Sequence, residues 1–167
     1  CYQTMSKIAS LLDKADDSRG YKAKYDALTK RIQDTFYDAK GNTYASGTQI
    51  DLVYPMLAGV TPDNLKETVL KTLYEVTANR FQGHLATGLV GIPVLTEWAV
   101  KNGQAEWMYQ MLKKRDYPGY LYMLDNGATT TWEHWNGERS HIHNCYNGIG
   151  AWFYQALAGI MPDESKP

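Results

Sequence analysis

Apolar residues recur every three or four positions through most of this chain, and that period leaves it little choice but to fold as packed helices. Tyr21, Tyr25, Leu28, Ile32 and Phe36 fall on one face of a helix over residues 21–37, and Leu65, Val69, Leu73 and Val76 on one face over residues 65–76. Both are read as amphipathic helices with a buried stripe. Thr61 is the predicted N-cap of the second, with Pro62 at its first helical position and Asp63 complementing the helix dipole. A shorter, more buried helix is predicted over residues 48–58, bent by Pro55 and ended by Gly59. Residues 89–100 and 104–114 form another pair, separated by the helix-stopping Asn102-Gly103. A last helix over residues 147–158 is expected to bury Ile149, Trp152, Phe153 and Leu157 and to stop at Gly159. Met5, Ile8, Leu11 and Leu12 are already at helical spacing. The expectation is an all-α fold of about seven helices, stacked as hairpins with long loops at one end.

Three segments interrupt the helical pattern: residues 38–46, 80–88 and 116–144. Their Gly, Asn and Thr content marks loop or short strand, and the third is much longer than an ordinary connection. Long loops on a helical scaffold usually carry function. No low-complexity linker and no strict repeat divides the chain, so residues 1–167 are read as one unit. The 17 Lys plus Arg balance 18 Asp plus Glu. That balance argues against nucleic acid or an anionic membrane surface as partner and favours a neutral substrate. Cys1 and Cys145 are too few and too far apart for a disulfide framework or a zinc site, and they leave the compartment open. No apolar run approaches the ~18 residues of a membrane span, and no signal-peptide pattern opens the chain. A start without Met, with helical spacing already under way, reads as the back end of something longer.

The chemistry concentrates in residues 125–135, where Glu133 stands between Trp132 and Trp135 behind a run of small and hydroxylated residues. Sugars present C–H faces that stack on indoles, and a carboxyl group cleaves their glycosidic bonds as acid, base or nucleophile. The flanking tryptophans are expected to desolvate Glu133 and raise its pKa. Three residues apart on an extended segment, the two indoles do not face the same way, so one of them is expected in the core. A rival arrangement uses His141 and His143, which share a face if the segment is a strand, with Glu133 completing a metal site. Without a third fixed ligand and second-shell partners it is set aside, and no metal is expected. One of His134, His141 and His143 is instead expected to bond a sugar hydroxyl or to orient a carboxylate. The 80–88 segment lacks the strand and glycine spacing of a phosphate loop and is read as a rim loop, with His84 and Thr87 as polar contacts. Cys145 is read as a spectator thiol.

From Gly127 to Trp135, and again from Ser140 to Tyr154 with Leu157-Ala158-Gly159-Ile160, the chain resembles bacterial α-L-rhamnosidases. Gly83-His84-Leu85-Ala86-Thr87-Gly88 agrees, as does Thr48-Gln49 ahead of Leu57-Ala58-Gly59-Val60-Thr61-Pro62, so the resemblance covers most of residues 20–160. It implies the carboxy-terminal half of an (α/α)6 barrel catalytic domain that inverts the anomeric carbon, with no cofactor. In that family the Glu of the Ala-Thr-Thr-x-Trp-Glu segment is the general base, which implies that role for Glu133, and the general acid lies in an earlier segment. Trp132 or Trp135 would stack on the sugar, and His143 or Asn144 would hold its hydroxyls. The family often has Asn-His ahead of the glycine that opens the final helix, whereas here the order before Gly148 is His143-Asn144. The sugar contact is therefore expected from a shifted position. The expected partners are a rhamnose-containing glycan and the amino-terminal part of the same protein. A piece of a ring exposes helix faces, so the isolated chain is expected to dimerise and to lack hydrolytic activity. A periplasmic or secreted setting suits polymer degradation. The alternatives are another six-hairpin glycosidase, an unsaturated-uronyl hydrolase, for which Arg139 is the only close basic residue, and a non-catalytic helical sugar-binding or interaction module.

Overall fold

In the computed structural model, which describes residues 1–161, the helical period is realised as eight helices and one short hairpin among the described residues. The last six residues of the predicted unit lie outside the described residues. α1 (Tyr2–Leu11) packs against α2 (Ala15–Phe36). Strands β1 (Tyr37–Asp38) and β2 (Thr43–Tyr44) then pair antiparallel, with Tyr37 opposite Tyr44. α3 (Gln49–Leu57) and α4 (Asp63–Glu75) form one helical hairpin, and α5 (Gly91–Lys101) and α6 (Ala105–Leu112) another. α7 (Tyr120–Asp125) lies early in the long loop and α8 (Ile149–Trp152) follows it.

Local chemistry explains most boundaries. At α3 the Thr48 side chain accepts from the Asp51 N–H while the Asp51 carboxylate accepts from the Thr48 N–H, a reciprocal cap that satisfies two otherwise orphaned donors. The helix ends where Gly59 adopts φ +69, and a Cβ there would meet the Tyr25 hydroxyl at 2.7 Å. The predicted Thr61 cap is not formed. α4 starts at Asp63 with Pro62 as its cap, because the Thr61 hydroxyl is buried against Tyr44 Oη at 3.0 Å. α4 and α8 each run into a turn widened to i→i+5, over Val76–Arg80 and Phe153–Leu157.

The core forms a row in which α5 lies between α3 and α8. Leu52, Val53, Ile92, Leu95 and Trp152 are sealed within it, and Val69 and Leu73 of α4 cover it from one side. Each such side chain stabilises the fold by about 1.5–3 kcal/mol relative to exposure. The α2 stripe behaves differently: none of its residues is buried, and Phe36 is 52% exposed. It touches chiefly α1 and the ends of its neighbours, with Tyr25 Oη donating to the Ala58 and Gly59 carbonyls. The last helix buries Ile149 and Trp152 as expected but leaves Phe153 and Leu157 exposed, because little packs beyond the α5–α8 contact. An apolar cleft of about 310 Å³ opens beside it, lined by Leu112, Tyr120, Met123, Leu124, Ile149 and Phe153 among others. Among the described residues no helix is long and apolar enough to cross a membrane.

Candidate active site

The long loop is not structureless. It starts with α7, which is only six residues long and so too short to show a periodicity of its own. The chain then doubles back on itself. The Glu133 N–H donates to the Ser140 carbonyl at 2.8 Å and the His143 N–H to the Thr131 carbonyl at 3.0 Å. The result is an irregular hairpin with residues 134–139 at its tip, turned by Gly137 at φ +80 and by Arg139 at φ +63.

Trp132 lies underneath this tip. It is 6% exposed, its ring stacks on His141 at 4.8 Å, and a Cβ on Gly137 would come within 3.0 Å of it. Of the two indoles, Trp132 is the one placed in the core, its ring supporting the loop and not presented to a ligand. Trp135 stays half-buried, stacked on Tyr146 at 3.9 Å with the Tyr120 ring edge-on at 5.1 Å. Tyr120 Oη donates to the Tyr146 carbonyl at 2.7 Å, tying α7 to the return strand of the loop. Burial pushes the Tyr120 phenol far above its ordinary pKa and raises that of Tyr146.

Glu133 is surrounded by hydrogen-bond donors and basic side chains. The Ser140 N–H reaches Oε2 at 3.3 Å, His143 Nδ1 lies 3.6 Å from Oε2, and Arg139 Nη1 and His134 Nε2 lie 3.5 and 3.9 Å from Oε1. The expected rise in its pKa is therefore reversed. The Ser140 N–H first, with His143, Arg139 and His134 adding to it, outweighs partial burial and holds the carboxyl below its ordinary value. The tryptophans do not desolvate it because one is beneath the hairpin and the other is turned to Tyr146.

His143 also lines an open hollow of about 400 Å³ with Thr130, Ile142, Asn144 and Asn147. Thr131 Oγ1 donates to Asn147 Oδ1 at 2.7 Å, fixing the rim. His141 and His143 do not share a strand face. His141 is bound to the Gly137 carbonyl and to Trp132, while His143 faces Glu133, so the geometry of the metal rival is not formed. Cys145 is half-buried.

His84 is placed differently from the expected rim contact. It is 3% exposed, its Nδ1 donates to the Pro118 carbonyl at 2.7 Å, and its Nε2 lies 3.2 Å from Asp116. The ring ties the 80–88 loop to the start of the long loop. Its own carbonyl accepts from Gln49, a fully buried amide that also donates to Thr77 Oγ1 and accepts from the Ala86 N–H. Gln49, Asn147 and Tyr146 stand in the resembling segments of the sequence but were given no role of their own there. A glutamine at a buried position of an apolar helix was the available signal for the first.

A carboxylate presented by a loop hairpin beside an open polar hollow, on a scaffold of stacked helical hairpins, is the arrangement of a helical-hairpin glycosidase domain. The chain belongs to the family described as the bacterial alpha-L-rhamnosidase 6 hairpin glycosidase domain, whose model matches residues 1–157. It is 29% identical over 172 residues to an alpha-L-rhamnosidase of Formosa agariphila and 30% identical over 171 residues to one of Alteromonas sp., matching 94% and 93% of this chain. The chain spans 18% of the length of each of these relatives. Among solved structures it is similar to the alpha-L-rhamnosidase of Dictyoglumus thermophilum, with TM-score 0.81 and 31% identity over 92% of this chain and 18% of that one. The alpha-L-rhamnosidase of Streptomyces avermitilis, solved in complex with L-rhamnose, gives TM-score 0.84 and 26% identity over 95% of this chain and 16% of that one.

Proposed function

We propose that this chain is the carboxy-terminal half of the catalytic domain of an α-L-rhamnosidase, and that Glu133 is its general base. The observation that carries the reading is the state of Glu133. A base must be unprotonated before it can accept a proton, and a backbone N–H and three basic side chains favour the ionised form of this carboxyl, one of them, His143, also lining an open hollow. A general acid would need the opposite environment. Inversion then runs in one step: Glu133 takes a proton from water, the water oxygen attacks the anomeric carbon, and an acid from an earlier segment protonates the departing oxygen. The two carboxyls of such a pair stand roughly 6.5–9.5 Å apart to admit the water. His143 and Asn144 would hold sugar hydroxyls, and the free part of Trp135 would meet a C–H face. Trp132 and His84 hold the loops that carry these groups. The isolated chain, without the acid, is inactive.

The test is Glu133→Gln in the complete catalytic domain, assayed on an aryl α-L-rhamnoside. Turnover is expected to fall by about 10²–10⁴-fold, the usual range for loss of a general base. Near-normal hydrolysis would end the assignment.

A further inference from the structure

Among the described residues, the charged or titratable groups within 4 Å of the Glu133 carboxylate are His134, Arg139 and His143. Only one of these carries a charge that is independent of pH: the guanidinium of Arg139, which stays protonated throughout any accessible range. Its backbone is also unusual. Arg139 sits at φ +63, in the left-handed region that a side chain with a Cβ rarely adopts and that persists only where the surroundings hold it. This turn lies one residue before Ser140, whose N–H and carbonyl both bond Glu133. Arg139 thus fixes the carboxylate twice, through the turn that delivers the Ser140 backbone to Oε2 and through Nη1 at 3.5 Å from Oε1.

We propose that Arg139 is a positioning residue of the catalytic base: its guanidinium, carried on the turn that also delivers the Ser140 N–H, fixes the direction of the Glu133 carboxylate. The proposal rests on the reading of Glu133 as the base. Glycine and asparagine both keep the left-handed turn while removing the charge, and lysine keeps the charge without the planar fork.

The experiment compares Arg139→Gly, Arg139→Asn and Arg139→Lys in the complete catalytic domain by the pH dependence of kcat and kcat/KM on an aryl α-L-rhamnoside. Thermal melts of each serve as folding controls. With the charge gone, the acidic limb is expected to move up, modestly because the guanidinium is largely exposed and screened. In Arg139→Gly and Arg139→Asn, kcat is expected to fall by about tenfold with KM little changed, as for a misdirected reacting group. Arg139→Lys should restore the limb and part of kcat. An unmoved limb and full kcat in Arg139→Asn would overturn the proposal, as would Arg139→Lys that behaves like Arg139→Gly. Glu133→Gln measured alongside separates the two failures. If it is inactive while the Arg139 variants are normal, only the role of Arg139 is lost; if it is active, the base assignment itself fails.

Discussion

A single glutamine illustrates how much one residue decides here. Gln49 is fully buried and uses both ends of its amide, donating to Thr77 Oγ1 at 3.0 Å and His84 O at 2.9 Å and accepting from Ala86 N at 2.8 Å. Gln49→Leu preserves the volume but strands three polar groups in the core. At ~1–3 kcal/mol for each unsatisfied group, partly relieved by relaxation, a loss of about 3 kcal/mol is expected in urea unfolding. A change under about 0.5 kcal/mol would show that the network contributes little. Glu133 makes the converse point. Its neighbours in the sequence single it out as a candidate, yet they point to the wrong sign of its pKa shift, which is downward. The Ser140, Arg139 and His143 contacts arise only when the chain doubles back across six to ten residues.

Among the elements, α3 shows local and tertiary causes working together. Its reciprocal cap is written in Thr48 and Asp51, three residues apart, and Ser46 Oγ adds a donor to the same carboxylate at 2.7 Å. Burial pushes the Asp51 carboxyl up, but the Ser46 and Thr48 hydroxyls and backbone donors outweigh it and leave its pKa below the ordinary 3.8. A depressed carboxyl contributes stability that is fully present above its unfolded value and is lost as pH falls through the folded one. Thr48→Ala should therefore cost about 1 kcal/mol near neutral pH. That difference should shrink once the pH drops well below 3.8, as compared by urea unfolding at both ends. A cost that stays constant into strong acid would remove Asp51 from the account. α2 is the contrary case: its stripe was legible, but burial was not. Periodicity states which face is apolar and is silent about what lies against it.

For the molecule as a whole, the row of α3, α5 and α8 buries one continuous core while leaving other apolar surface open. Val90 is 72% exposed, and Leu124 and Phe153 flank the cleft at 59% and 50%. Contiguous surfaces of this kind drive association. The isolated chain is expected to dimerise through the cleft, read by sedimentation velocity, and Leu124→Lys with Phe153→Lys should return it to monomer. A wild-type chain that sediments as a monomer at tens of micromolar would contradict this.

The sequence by itself determined that the chain is helical and where α3 to α6 begin and end to within two or three residues. Each of these depends on residues a few positions apart, and so on forces that act along the chain. Only the tertiary structure decided that Trp132 supports the loop from below, that His84 and Gln49 join two loops, and that Glu133 is held ionised. Those outcomes depend on which groups meet across a turn or between helices, and a hydrogen bond or ion pair is fixed by distance in space, to which spacing in sequence is only a partial guide.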